Sequence, residues 1–198
     1  MLDKVKEKLA KGEKIVFVAF GDSITEGYGV SEGWPEKLVK ELKKKYPNTE
    51  IKLINKGRAG DTAEDGLYRL DADVIEFNPD LVTVNFGIND AMSAVPLSAF
   101  ETHISEIISQ IKSKTKAHVI ALSSEILEDE EADKLVRKYY DKIGKVCKEQ
   151  KVTFIDVHRY WHQKVREGLE LSSLLIPGLD HPNEEGYKYF AKIIMEVL

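Results

Sequence analysis

Four short stretches of this sequence carry residues that together suit acyl transfer. "GDSIT" (21–25) offers Ser23, a hydroxyl nucleophile at a point where a helix is expected to begin. "NKGRAGDTAEDG" (55–66) holds Gly57 and Gly60, which let a chain turn sharply and bring backbone amides close to a ligand. "FGIND" (86–90) delivers the side-chain amide of Asn89, with Gly87 permitting a bend before it. "GLDHPNEEGY" (178–187) holds His181, a base candidate, ahead of Pro182 and Asn183. Each residue has an ordinary use when taken alone. A serine at that point is most often a helix cap, an asparagine after a strand most often closes an Asx-turn, and paired glycines most often make a loop. Together they supply a nucleophile, a base and several N–H donors for an oxyanion, which is the set that acyl transfer needs.

Their value depends on what positions them. "KIVFVAF" (14–20), "IKLIN" (51–55), "LVTVNF" (81–86), "HVIALS" (118–123) and "VTFID" (152–156) read as strands. They are nearly continuous in apolar residues, as parallel strands covered on both faces should be. Helical spacing runs from Trp34 to Tyr46 through Leu38 and Leu42, and from Leu97 to Lys112 through Phe100, Ile104, Ile107, Ile108 and Ile111. It recurs over about 130–149 and in a last helix that starts near Asn183, a good N-cap followed by Glu184 and Glu185. This alternation predicts an α/β fold: a three-layer, doubly wound sheet of about five parallel strands. With no repeat or linker, residues 1–198 read as one domain. In such sheets ligands bind beyond the carboxyl ends of the strands, which is where Ser23, Gly60 and Asn89 fall.

With the four stretches in this order, the sequence resembles the SGNH hydrolases, the GDSL-type lipase/esterase superfamily. "GDSIT" matches the first block, "NKGRAGDT" the second, "GIND" the third and "HPN" the last, spanning residues 21–183. The resemblance implies a flavodoxin-like sheet and a metal-free, cofactor-free serine ester hydrolase acting on a small-molecule ester. Ser23 would be the nucleophile and His181 the general base. The Ser23 and Gly60 amides and the Asn89 side chain would form the oxyanion hole. The G-x-S-x-G elbow of α/β-hydrolases is not present.

One position departs from the family pattern. An acid usually stands three residues before the histidine, and Gly178 occupies that place here. Asp180 is the immediate neighbour of His181, and adjacent side chains diverge in extended chain. Three supports for the histidine stay open: Asp180 through a local bend, Glu125 from "SSEILEDEE", or a backbone carbonyl that would make a Ser-His dyad. The dyad is favoured. The expected substrates are short acyl esters, acetyl groups on carbohydrate among them, and the alternative is a catalytically silent binding module of the same fold.

Composition narrows the field further. A net charge of -5 without a basic stripe argues against nucleic acid as a partner. "MLDKVKEKLAKGEK" is too polar for a signal-peptide core, and "IVFVAF" is too short to span a bilayer. The lone cysteine, Cys147, excludes an internal disulfide and suits a reducing cytoplasm. It falls on an apolar helix face with Leu135, Tyr139 and Ile143. His158 and His162 stand four apart near Asp156, but without a third-ligand pattern they are read as packed or surface histidines, not a metal site. Asp22 and Asp90 read as loop braces. Tyr28 and Trp34 are candidate pocket aromatics, although the spacing of Trp34 to Leu38 also fits the core. Nothing in the sequence sets an oligomeric state.

Overall fold

The computed structural model describes residues 2–198, so Met1, the first residue of the predicted span, lies outside it. In chain order the elements are α1 (Leu2–Ala10), β1 (Ile15–Gly21), α2 (Ser23–Glu26), α3 (Trp34–Lys45), β2 (Ile51–Gly57), α4 (Ala63–Asp73) and β3 (Leu81–Asn85). Then follow α5 (Ile88–Met92), α6 (Leu97–Lys114), β4 (His118–Leu122), α7 (Glu130–Gln150), β5 (Thr153–Ile155), α8 (Val157–Arg166) and α9 (Glu184–Met195). The five strands form one parallel sheet in the order β2-β1-β3-β4-β5. The order turns back between β1 and β3, and a doubly wound sheet opens its ligand crevice at such a switch point.

Side-chain alternation along β1 explains why the strands look uniformly apolar. Phe17 and Ala19 pack with Trp34, Leu38 and Leu42 of α3, Trp161 of α8, and Phe190 and Ile194 of α9. Val18 and Phe20 point to the opposite face, among Leu70 of α4, Ile104 and Ile108 of α6, and Val136 and Ile143 of α7. Burying each such side chain fully contributes roughly 1.5–3 kcal/mol, so both faces of the sheet bind helices strongly. Trp34 is core: it is fully buried and stacks on Phe190 with ring centroids 5.9 Å apart.

Cys147 is buried in the second layer with Tyr139 and Ile143, and burial pushes its thiol up to about 12, which leaves it inert as a nucleophile. Val136 takes the inward place predicted for Leu135, which is exposed. Asn183 caps α9 as its type predicts, accepting from the N–H groups of Glu185 and Gly186. Helices α1, α4 and α8 were absent from the periodicity reading. Among the described residues no helix is long and apolar enough to cross a membrane.

Candidate active site

β1 ends at Gly21 and the chain turns at once into α2, whose N-cap is Asp22: its Oδ1 accepts from the Ile24 N–H at 3.0 Å. Asp22 therefore takes the cap role that a serine there would usually hold, and Ser23 becomes the first helical residue. A first-turn N–H has no acceptor within its own helix, so the Ser23 amide is left for a ligand. Asp22 is buried and its Oδ2 has no partner among the described residues. Burial, reinforced by nearby Asp90, pushes its carboxyl up to about 7.

β2 delivers the second block. A Cβ on Gly57 would come within 2.0 Å of the Glu26 nitrogen, so only glycine lets this strand end lie against α2. The loop after it is tied down by Arg58 N–H to Gly21 O (3.0 Å) and Ala59 N–H to Glu26 Oε2 (2.8 Å). Gly60 has φ +84° with open space where a Cβ would stand, so a side chain there would be strained by the backbone and not by crowding.

β3 leads through Gly87 (φ +131°) into α5, which carries Asn89. The Asn89 Nδ2 donates to Asp61 O at 2.9 Å, locking the amide beside the Gly60 loop and leaving its second N–H to offer. Asp90 braces the same region, its two carboxylate oxygens accepting from the Ala63 N–H at 3.0 and 3.1 Å. Burial pushes that carboxyl up to about 6.

The sequence reading missed Arg69, which lies on α4. Its side chain is only 7% exposed. It donates to Asp61 (2.6 Å), to Asp73 (2.9 Å), and to the carbonyls of Lys56 and Gly21 (both 2.9 Å). One guanidinium thus joins the ends of β1 and β2 to the loop that bears Gly60.

His181 arrives from the loop between α8 and α9. Hydrogen bonds from Ile176 N–H to His181 O and from Asn183 N–H to Leu174 O (both 2.8 Å) pinch this loop into a narrow turn, rounded by Gly178 at φ +73°. The turn places the Leu179 carbonyl 2.9 Å from His181 Nδ1, and His181 Nε2 lies 2.9 Å from Ser23 Oγ. A carbonyl only accepts, so Nδ1 carries the ring proton and Nε2 faces the serine with a free lone pair. That is the tautomer a general base needs.

Of the two acids weighed for support, Asp180 turns away, its Oδ1 accepting from the Glu128 N–H at 3.0 Å. Glu125 is fully buried with neither oxygen partnered among the described residues. Burial, with Asp22 and Asp180 adding to it, pushes its carboxyl well above the usual range. No hydrogen bond links either acid to His181 among the described residues. Tyr28 stands 46% exposed with its ring 5.2 Å from the imidazole, so the mouth of the site carries an aromatic wall. Two clefts elsewhere among the described residues, one between α3 and α9 and one beside α7 and α8, include none of Ser23, Gly60, Asn89 or His181.

His158 and His162 do not gather around Asp156. That aspartate caps α8 and pairs with Arg137 at 2.9 Å. Their shared partner is Asp133 of α7, which lies 2.9 Å from His158 Nε2 and 2.8 Å from His162 Nε2.

The chain matches the GDSL-like lipase/acylhydrolase family over residues 19–189. It is 28% identical to an acetylxylan esterase of Geobacillus stearothermophilus, covering 95% of this chain and 94% of that protein. It is 26% identical to an isoamyl acetate-hydrolyzing esterase of Saccharomyces cerevisiae, covering 92% and 85%. A crystal structure of a Geobacillus stearothermophilus acetylxylan esterase superposes with a TM-score of 0.81 at 22% identity, covering 92% and 93% of the two chains.

Proposed function

The chain belongs to the GDSL-like lipase/acylhydrolase family, and we propose that it hydrolyses short-chain acyl esters through a Ser23–His181 dyad with Leu179 O supporting the histidine. It is a carboxylic ester hydrolase, as its relatives are. The observation that carries the finer reading is the line Leu179 O, Nδ1, Nε2, Ser23 Oγ, with 2.9 Å at each hydrogen bond.

In the reaction, Ser23 Oγ attacks the ester carbonyl carbon while its proton passes to His181 Nε2. The carbonyl oxygen becomes an oxyanion and is met by the Ser23 and Gly60 N–H groups and the free N–H of Asn89. The alcohol then leaves with the proton held on Nε2, and water hydrolyses the acyl-serine by the same route. The Leu179 carbonyl dipole stabilises the imidazolium formed in each half-reaction.

Both acetate-ester relatives support a short acyl group. The exposed ring of Tyr28 suits a flat or sugar-like alcohol portion, which favours acetylated carbohydrate. Turnover of p-nitrophenyl acetate by wild type and its loss in Ser23→Ala test the assignment. A wild type no faster than Ser23→Ala on acetyl esters, and unlabelled by a fluorophosphonate, would make the chain a silent binding module instead. Faster hydrolysis of decanoyl than of acetyl esters would overturn the short-chain preference.

A further inference from the structure

Three side chains on the helices α7 and α8 converge in a way that ester hydrolysis does not use. His158 and His162 lie one turn apart on the same face of α8, as residues spaced i and i+4 must. Across from them Asp133, in the first turn of α7, receives both: Oδ1 is 2.9 Å from His158 Nε2 and Oδ2 is 2.8 Å from His162 Nε2. All three ligand atoms lie within 4.8 Å of one another, and the imidazole centroids are 4.5 Å apart.

From this geometry we propose that Asp133, His158 and His162 form a binding site for a divalent transition-metal ion of the zinc type, separate from the serine site. Two imidazoles and a carboxylate are a borderline N/O donor set that suits such ions and leaves a coordination position for water or an anion. Bonds of about 2.0–2.1 Å in a tetrahedron put ligand atoms about 3.4 Å apart, which falls between the 2.8 and 2.9 Å His–Asp contacts and the 4.8 Å that encloses all three ligand atoms here. The carboxylate is already oriented, since Oδ1 also accepts from the Leu127 N–H at 3.0 Å.

The open side gives onto a cleft of about 600 Å³. Arg159 and Arg166 line it, so an anionic fourth ligand would be met by positive charge. His158 Nδ1 has no acceptor among the described residues. Missing outer partners of this kind typically cost about 10–100-fold in affinity, which places the site below a tight structural zinc centre.

The site also touches the loop that bears the base. Consecutive amides divide between the two regions: Leu127 N–H goes to Asp133 and Glu128 N–H to Asp180, the neighbour of His181.

Titration of the untagged, metal-free protein with CoCl2, followed by visible absorption and by ZnCl2 competition, tests the site without reference to hydrolysis. The expected result is one ion per chain with the intense spectrum of a tetrahedral Co2+ centre. In His162→Gln, a change at a half-exposed position, affinity should fall at least tenfold while ester turnover is unchanged. Absence of binding in the wild type, or equal binding in His162→Gln and in Asp133→Asn, would overturn the proposal.

Discussion

The Nδ1 atom of His181 lies 2.9 Å from the carbonyl oxygen of Leu179, two residues earlier in the chain. The turn through Gly178 makes this contact possible, and Asp180 is bonded to Glu128 instead. A backbone carbonyl can fix the tautomer and the ring orientation as well as a carboxylate can. What it lacks is a full negative charge opposite the imidazolium, so the charge–charge attraction a carboxylate would add is replaced by the weaker pull of a carbonyl dipole. The proposed dyad would therefore exchange some transition-state stabilisation for a support that no change of pH can protonate.

Asn89→Ala should lower kcat by about 10²–10³ with little change in KM, since in the proposed oxyanion hole its free N–H acts only once the oxyanion develops. Steady-state kinetics on p-nitrophenyl acetate checks this. A rise in KM alone would assign Asn89 to substrate binding and remove it from the oxyanion hole.

Arg69→Met should destabilise the fold by roughly 3–5 kcal/mol, because it leaves the buried carboxylate of Asp61 without its ion-pair partner, while Asp73 keeps Lys56 at 2.8 Å. Urea unfolding measures this. If Arg69 also sets the Gly60 loop, kcat of the folded fraction should fall. Unchanged kcat would confine the residue to stability.

Stability should increase as pH falls from neutral toward about 4. Asp22 and Asp90 titrate in the folded chain at about 7 and about 6 against an ordinary 3.8. In that window the folded state holds protons that the unfolded chain has lost, so raising pH favours unfolding by up to about 1.4 kcal/mol per unit for each group. Below that window the trend reverses, because Asp133 and Asp156 are held low and lose their bonds on protonation. Thermal midpoints across pH 4 to 8 for wild type and Asp22→Asn test this. The variant keeps an oxygen to cap Ile24, and its slope should flatten. An unaltered slope would show that Asp22 is ionised in the folded state.

The strands were legible to within two residues, because each is an apolar run covered on both faces. α4 escaped notice: "AEDGLYRLDAD" buries Arg69 and Gly66 on its inner face, so its pattern does not look amphipathic. α8 was read only for its histidines, and Asp133, the third member of their group, stands on another helix 25 residues away. Ser23, Gly60, Asn89 and His181 were picked out from their blocks and a backbone carbonyl was favoured for the histidine, yet which carbonyl could not be named, since a carbonyl has no letter in the sequence. It had to be seen in the turn.

The most direct test is kcat/KM for p-nitrophenyl acetate in Asp180→Asn, set against wild type and Ser23→Ala. The asparagine can still accept from Glu128, so the loop should keep its shape while the charge is removed. A dyad resting on Leu179 predicts a rate within about tenfold of wild type. A loss near 10⁴, the effect of this change in a Ser-His-Asp triad, would contradict it and make Asp180 the catalytic acid.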